Sequence, residues 1–300
     1  MQVGMTLPVM EPDLWERGPA TLEEWALAVD EGPFASLCLG ERIAFDNPET
    51  LTLLGAVSAW TSRVRLVTTV VVPQLHDPVL LAKSLATADQ LCAGRLVVGV
   101  GVGGRAEDYR AVGADLSTQT IAGMADRVAA MRGVWAGETV GGAVRDVGPP
   151  PVQAGGPPIL VGTMGRRTVR HASAWADGLA GMTLDLGVEE VRRFFDLARK
   201  AWADADRPAP RLTTSFWFAL DETSGPGGPR GQLHRHLRHY MNWLPPALVD
   251  AMAPTTGFAG TAAQLREVLD RFADLGTDEV HLIPTGSGVE QVRRVADVLG

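Results

Sequence analysis

Residues 61–104 restrict the fold of this chain more than any other stretch, because two apolar β-branched runs flank one helical pattern and both end in glycine or polar loops. Residues 63–72 are apolar and β-branched on both faces, residues 78–91 carry apolar positions at helical spacing, and residues 95–100 are apolar again before the glycines begin. Strands buried on both faces belong to parallel sheets covered by helices, so the stretch reads as a parallel βαβ unit. Parallel α/β folds bind ligands beyond the carboxyl ends of their strands. That rule singles out Thr68 and Thr69, residues 74–77 and residues 101–108.

The same alternation runs from end to end, as a βα barrel requires. Further strand patterns occupy residues 2–7, 34–39, 159–161, 178–182, 211–220 and 279–283. Helical patterns occupy residues 22–30, 48–61, 122–135, 166–175, 188–203, 261–275 and 289–299, with Thr261 as an N-cap. Residues 137–156, rich in Gly and Pro, form a long connection. Residues 224–230 (SGPGGPR) are flexible by composition, and residues 232–252 read as one or two helices broken at Pro245-Pro246. The count of eight strands with their helices defines an α/β protein. The expected fold is a single (β/α)8 TIM barrel, one domain over residues 1–300, with a variable insertion after strand 7 in which residues 224–254 form a lid or insertion.

Three hundred residues with 46% hydrophobic content bury a sizeable core. A formal charge of −8 and a pI near 5.3, without a basic cluster, exclude a nucleic-acid or anionic-membrane surface. Cys38 and Cys92 sit in an apolar run and at a helix end, and read as reduced packing residues. No apolar run reaches the roughly 18 residues a spanning helix needs, and the N-terminus lacks the pattern of a leader. A cytoplasmic protein is expected.

Residues 99–104 (GVGVGG) are not a dinucleotide fingerprint, since the glycines alternate inside an apolar strand, the spacing is not GxGxxG and no apolar helix follows. Their missing side chains either let the backbone approach a flat ring or relieve crowding in the barrel. Residues 162–168 (GTMGRRT) follow the fifth strand and open a helix. Backbone N–H groups there, with the Thr163 hydroxyl and the Arg166 and Arg167 guanidiniums, make a phosphate site; a plain helix start with surface arginines is the alternative. Glu41-Arg42, after the second strand, either pair to orient a polar ligand or form a solvated pair. His76, in a loop, joins Glu41 and Arg42 as a catalytic candidate. His234, His236 and His239 lack a further ligand spaced to close a site, so no metal is expected. Trp217, Phe218, Tyr240, Met241, Trp243 and Met252 either roof the barrel mouth or pack in the core.

Residues 61–104 also carry a family pattern, TxRxRLxTxVxxPxxHxPxxLAKxxATxDxLxxGRLxxGVGxG. It continues through EDYRAVG (107–113), PPILVGTMGRRTVRHASAWADGL (157–179) and GFAGTAAQLREVLDRFADLGTDEVHLI (257–283). In these segments the chain resembles the bacterial-luciferase-like (LLM class) flavin and deazaflavin oxidoreductases, over nearly all its length apart from residues 220–256. The resemblance implies FMN or, alternatively, coenzyme F-420 as cofactor. The activity it implies is monooxygenation with reduced FMN and oxygen, or hydride transfer with coenzyme F-420, on a small organic substrate. It places the cofactor at Thr68, Thr69, Gly101, Val102, Gly103, Gly162, Thr163, Met164, Gly165, Arg166 and Arg167, with a non-prolyl cis peptide in the third strand near residues 68–70. A homodimer and a separate flavin or F-420 reductase are the expected partners, with neither nucleic acid nor membrane.

The chain departs from the pattern at Arg42, where relatives usually carry a His, at Gln119-Thr120, where a phosphate-facing Arg is frequent, and at Asp126, where Glu is usual. The first two departures favour a rival reading as a flavin-storing or sensory protein without turnover. A metal-dependent or phosphate-sugar barrel is disfavoured, because the strand ends lack a carboxylate and histidine set suited to a metal.

Overall fold

A computed structural model of the chain describes residues 1–142 and 144–300; Ala143, in the long connection, lies outside the described residues. Its elements run β1 (Gln2–Thr6), α1 (Leu14–Arg17), α2 (Ala20–Glu31), β2 (Ser36–Leu39), α3 (Thr50–Trp60), β3 (Arg65–Thr68), α4 (Pro78–Leu91), β4 (Leu96–Val100), α5 (Ala106–Ala111) and α6 (Ile121–Trp135). There follow β5 (Ile159–Val161), α7 (Arg166–Ala172), β6 (Gly178–Ala180), α8 (Val188–Asp204), β7 (Arg211–Leu220), α9 (Gly228–Tyr240), α10 (Pro246–Met252), β8 (Phe258–Gly260), α11 (Ala262–Ala273), β9 (Glu279–Pro284) and α12 (Glu290–Leu299). Hydrogen-bonded neighbours run β6-β5-β4-β3-β2-β1-β9-β7-β8, and β6 also pairs with β7. That closure makes a parallel eight-stranded TIM barrel, the fold class expected from the sequence.

Two details differ from expectation. A ninth strand, β8, adds to the far end of β7 in the register Phe218 with Phe258 to Leu220 with Gly260. Three residues between turns carry no periodicity to announce them. β3 ends at Thr68 rather than Val72: Val71 N bonds Gly99 O at 2.9 Å and Gly101 N bonds Val71 O at 3.0 Å, leaving a lone bridge before Pro73 opens a 3-10 turn.

The chain divides into two compact units. The first comprises Met1–Cys38, Gly181–Asp196 and Leu212–Gly300. Here β1 pairs with β9 from Gln2 with Glu279 to Met5 with Leu282, and β9 pairs with β7 from Thr213 with Glu279 to Phe218 with Pro284. α11 starts at a capping box, Thr261 and Gln264 each satisfying the other's backbone N–H. Its Phe272 stacks on Phe216 of β7 with ring centres 5.8 Å apart. A small polar set is buried in this unit: Ser36 Oγ donates to Glu279 Oε1 at 2.6 Å, and His281 lies beside Glu279 and Cys38. Burial works to lower the His281 pKa, but the Cys38 sulfur and the Glu279 carboxylate reverse it and carry it up to about 10.

The expected lid residues belong to this unit and are anchored in it. Pro245 and Pro246 break the segment into α9 and α10 as expected, and Leu233, Leu237, Met241 and Val249 bury against Trp217 and Ala219. Tyr240, Trp243 and Met252 pack partly buried on that cluster.

The second unit comprises Leu39–Ala180 and Leu197–Arg211. β3, β4, β5 and β6 pair in sequence, from Leu66 with Leu96 to Val161 with Leu179. Asp89 of α4 ties down the long connection by accepting Val152 N, Gln153 N and Gln153 Nε2. Asp77 caps α4 by accepting the Val79 and Leu80 N–H groups.

Candidate functional site

The strand ends of the second unit converge on Glu41. Leu39 O accepts Thr69 N at 2.7 Å and Val70 O accepts Glu41 N at 3.1 Å, so the chain leaving β2 runs beside the end of β3. Glu41 Oε2 accepts the Val72 N–H at 2.7 Å, and Glu41 Oε1 meets His76 Nε2 at 2.7 Å. Both oxygens are thus occupied, as a carboxylate with 1% of its side chain exposed requires; His76, at 17%, keeps an edge outside. Burial works to lower the His76 pKa, but the hydrogen bond and charge of Glu41, assisted by Glu49, leave it above the ordinary histidine value. With Nε2 committed to Glu41, Nδ1 is the ring nitrogen left to meet a ligand.

Arg42 is buried and engages the carboxylates of α5, so it is not the solvated half of a Glu41-Arg42 pair. Its Nε donates to Asp108 Oδ2 at 2.9 Å, its Nη2 to Glu107 Oε1 at 2.7 Å, and its guanidinium lies 4.9 Å from the Phe45 ring centre. Asp108 Oδ1 accepts Ile43 N at 3.1 Å and Ala44 N at 2.7 Å. Arg42 therefore fastens the loop after β2 onto α5. Asp108 and Glu107 were not singled out as its partners in the sequence, because they lie 66 and 65 positions away.

Val70 accounts for two of the glycines, Gly101 and Gly162. A Cβ at Gly101 would lie 2.7 Å from Val70 Cγ2, one at Gly162 would lie 2.7 Å from Val70 Cγ1, and one at Gly99 would strike Thr68 O. In these directions the glycines make room for Thr68 and Val70, at and just beyond the end of β3, as the crowding alternative has it. Val70 itself remains half-buried, and the Thr69–Val70 peptide is cis, where the resemblance implies one. Gly103 has φ +66°, a backbone that favours glycine, and its carbonyl accepts Gln119 Nε2 at 2.8 Å. Tyr109 donates to Val102 O at 2.7 Å, so the loop after β4 is held on two sides. Thr120 caps α6 through Gly123 N. Gln119 and Thr120 thus have structural partners where a phosphate-facing Arg is frequent.

At the end of β5, Thr163 Oγ1 accepts Gly165 N at 2.9 Å and shapes the turn into α7, which has no side-chain cap. Met164, Gly165, Arg166 and Arg167 are exposed, and neither guanidinium engages a hydrogen-bond or ion-pair partner among the described residues. Thr68 lies deeper, wholly buried, its Oγ1 donating to Gly99 O at 2.8 Å. The three histidines of α9 serve different ends. His234 pairs with Asp250 at 2.7 Å and His236 with Glu11 at 2.6 Å, and no group of three or more His, Cys, Asp or Glu side chains among the described residues is placed to hold a metal. Among the described residues no helix is long and apolar enough to cross a membrane.

A closed parallel barrel places the buried Glu–His pair and the exposed basic turn beyond the carboxyl ends of its strands, where ligands of such barrels bind. The family model described as luciferase-like monooxygenase matches residues 1–225, and the chain belongs to that family. An uncharacterized protein of Mycobacterium tuberculosis is 36% identical over 162 residues, 51% of this chain and 56% of the relative, so the match spans little more than half of that protein's length. An F420-dependent glucose-6-phosphate dehydrogenase of Nocardia farcinica is 32% identical over 249 residues, covering 69% of this chain and 72% of the relative. The crystal structure of the monooxygenase RslO1 from Streptomyces bottropensis shares the fold, with a TM-score of 0.80 at 23% identity over 100% of this chain and 97% of that one.

Proposed function

We propose that the chain is a coenzyme F-420-dependent oxidoreductase, moving a hydride between the deazaflavin and a small organic substrate. The observation that carries it is His76, whose Nε2 is bonded to Glu41 at 2.7 Å, with its pKa raised by that carboxylate, while Nδ1 stays uncommitted. The F420 dependence of the Nocardia relative supports the choice of cofactor.

The residues suit such a group. Val70 is half-buried beside Gly101 and Gly162, a Cβ at Gly104 would meet nothing within 4 Å, and two unpartnered guanidiniums stand at the turn after β5. Thr68, Thr69, Val70 and the loop Gly101-Val102-Gly103 would line the ring, and Gly162, Thr163, Met164, Gly165, Arg166 and Arg167 would hold its phosphate end. The cofactor, when bound, supplies the hydride chemistry. His76 Nδ1 donates a proton or hydrogen bond to a substrate oxygen, and Glu41 positions His76 through Nε2. Arg42, engaged by Asp108 and Glu107, takes no part in proton transfer.

An FMN-dependent monooxygenase is the second reading, favoured by the description of the family model. In that case a separate reductase delivers the reduced flavin, and in either case a homodimer is the proposed assembly. Fluorescence titration of the apoprotein with coenzyme F-420 and with FMN tests the choice: F-420 binds and FMN does not. Tight FMN binding without F-420 binding moves the assignment to the second reading, and F-420 binding without turnover of any alcohol or aldehyde assigns a non-catalytic binding protein.

A further inference from the structure

The first unit contains a cavity of about 430 Å³ that the proposed chemistry does not use. Its walls come from the loop after β1, from α9, and from the turn between β9 and α12. Glu11, His236 and Ser287 are buried polar residues of its lining, with relative exposures of 4%, 2% and 1%.

His236 is held by Glu11, Tyr240 and Trp217. Nδ1 meets Glu11 Oε1 at 2.6 Å, the ring stacks on Tyr240 with centres 5.7 Å apart, and Trp217 packs against it at 5.8 Å. With Nδ1 committed to the carboxylate, Nε2 is the ring nitrogen left to meet a ligand. Nε2 is buried without a hydrogen-bond partner, and so are Ser287 Oγ and Thr223 Oγ1, on two further residues that line the cavity. Buried polar atoms of folded proteins nearly always have partners, so three orphans around one cavity point to a group that completes them.

The charges on the walls define that group. Carboxylates of Glu11, Asp13 and Glu290 face two guanidiniums, of which Arg17 is taken by Asp13 at 3.0 Å and Arg235 donates to Pro226 O at 2.8 Å. The wall carboxylates outnumber the guanidiniums, a balance that disfavours an anion. One imidazole nitrogen and two hydroxyls, which donate or accept, match the hydroxyl groups of a neutral molecule. We infer that this cavity binds a small neutral polyhydroxylated molecule of monosaccharide size, its hydroxyls bonded to His236 Nε2, Ser287 Oγ and Thr223 Oγ1.

The test is made without cofactor, so its outcome is separate from that of the F-420 reading. Protein labelled with 15N-histidine is titrated with D-glucose, with sorbitol and with glucose 6-phosphate, following the histidine ring nitrogens by NMR. A saturable shift of the His236 Nε2 signal with glucose or sorbitol is expected, with glucose 6-phosphate at least about tenfold weaker because of the wall carboxylates. Ser287→Ala removes a hydroxyl that has no protein partner, so it keeps the wild-type melting temperature and weakens the neutral probe by about fivefold or more. Absence of a saturable shift with either neutral probe overturns the proposal. So does equal binding of the phosphate ester, or unchanged affinity in a folded Ser287→Ala protein.

Discussion

Glu41 and His76, 35 positions apart, share a 2.7 Å hydrogen bond whose carboxylate also holds the Val72 backbone N–H. One side chain thereby fixes the end of β3 and the orientation of a histidine at the same time.

A raised histidine pKa has a defined sign in stability. The folded state holds the proton more tightly than the unfolded chain, so the stabilisation is complete below the unfolded value of 6.5 and is lost as pH rises through the folded value. His281 adds a loss in the same direction, between 6.5 and about 10. Melting temperatures of the wild type are expected to fall from neutral toward alkaline pH, with a smaller fall in His76→Gln. Identical pH profiles for the two proteins would remove the Glu41–His76 coupling.

Arg42→Ala leaves the buried Asp108 carboxylate with two backbone N–H donors and no cation. Breaking a buried pair from one side costs about 3–5 kcal/mol, the upper figure for a fully enclosed pair. Chemical denaturation is expected to show a loss near the lower end. Arg42→Lys, unable to reach Asp108 and Glu107 together, recovers only part of it.

At Gly101 the neighbour is a stiff β-branched side chain, so it yields little. Gly101→Ala is expected to cost about 1–3 kcal/mol through overpacking. Val70→Ala in the same chain should return part of that loss, giving a non-additive cycle. Additive losses would mean that Val70 is not the obstacle.

Among the described residues Arg166 and Arg167 make no internal side-chain bond, so replacing both with Ala leaves the denaturation midpoint within error. Each charged hydrogen bond to a phosphate is worth about 1.5–3 kcal/mol, and cofactor affinity should fall accordingly in a fluorescence titration. Unchanged affinity in the double variant places the phosphate elsewhere.

The barrel was legible because its information is local. Residues 159–161 and 211–220 are bounded by their own patterns, and β5 and β7 occupy those spans. Thr261 announces α11 because a capping box acts over three residues. Glu41 and His76 were singled out by position, yet their bond was not, since nothing in the spacing of two residues on different loops encodes it. The fate of Arg42 depended on Asp108, and the orphaned His236 on Glu11, 225 positions away. Glycine spacing likewise showed a close approach without naming its object, which is Val70.

Cys38 and Cys92 have no solvent-accessible surface, and each belongs to a different unit. Burial further pushes the Cys92 thiol up, away from the reactive thiolate. A thiol reagent therefore sees nothing until a unit opens, which turns two packing residues into separate clocks. Labelling rates of the two single-cysteine variants read the opening of each unit on its own.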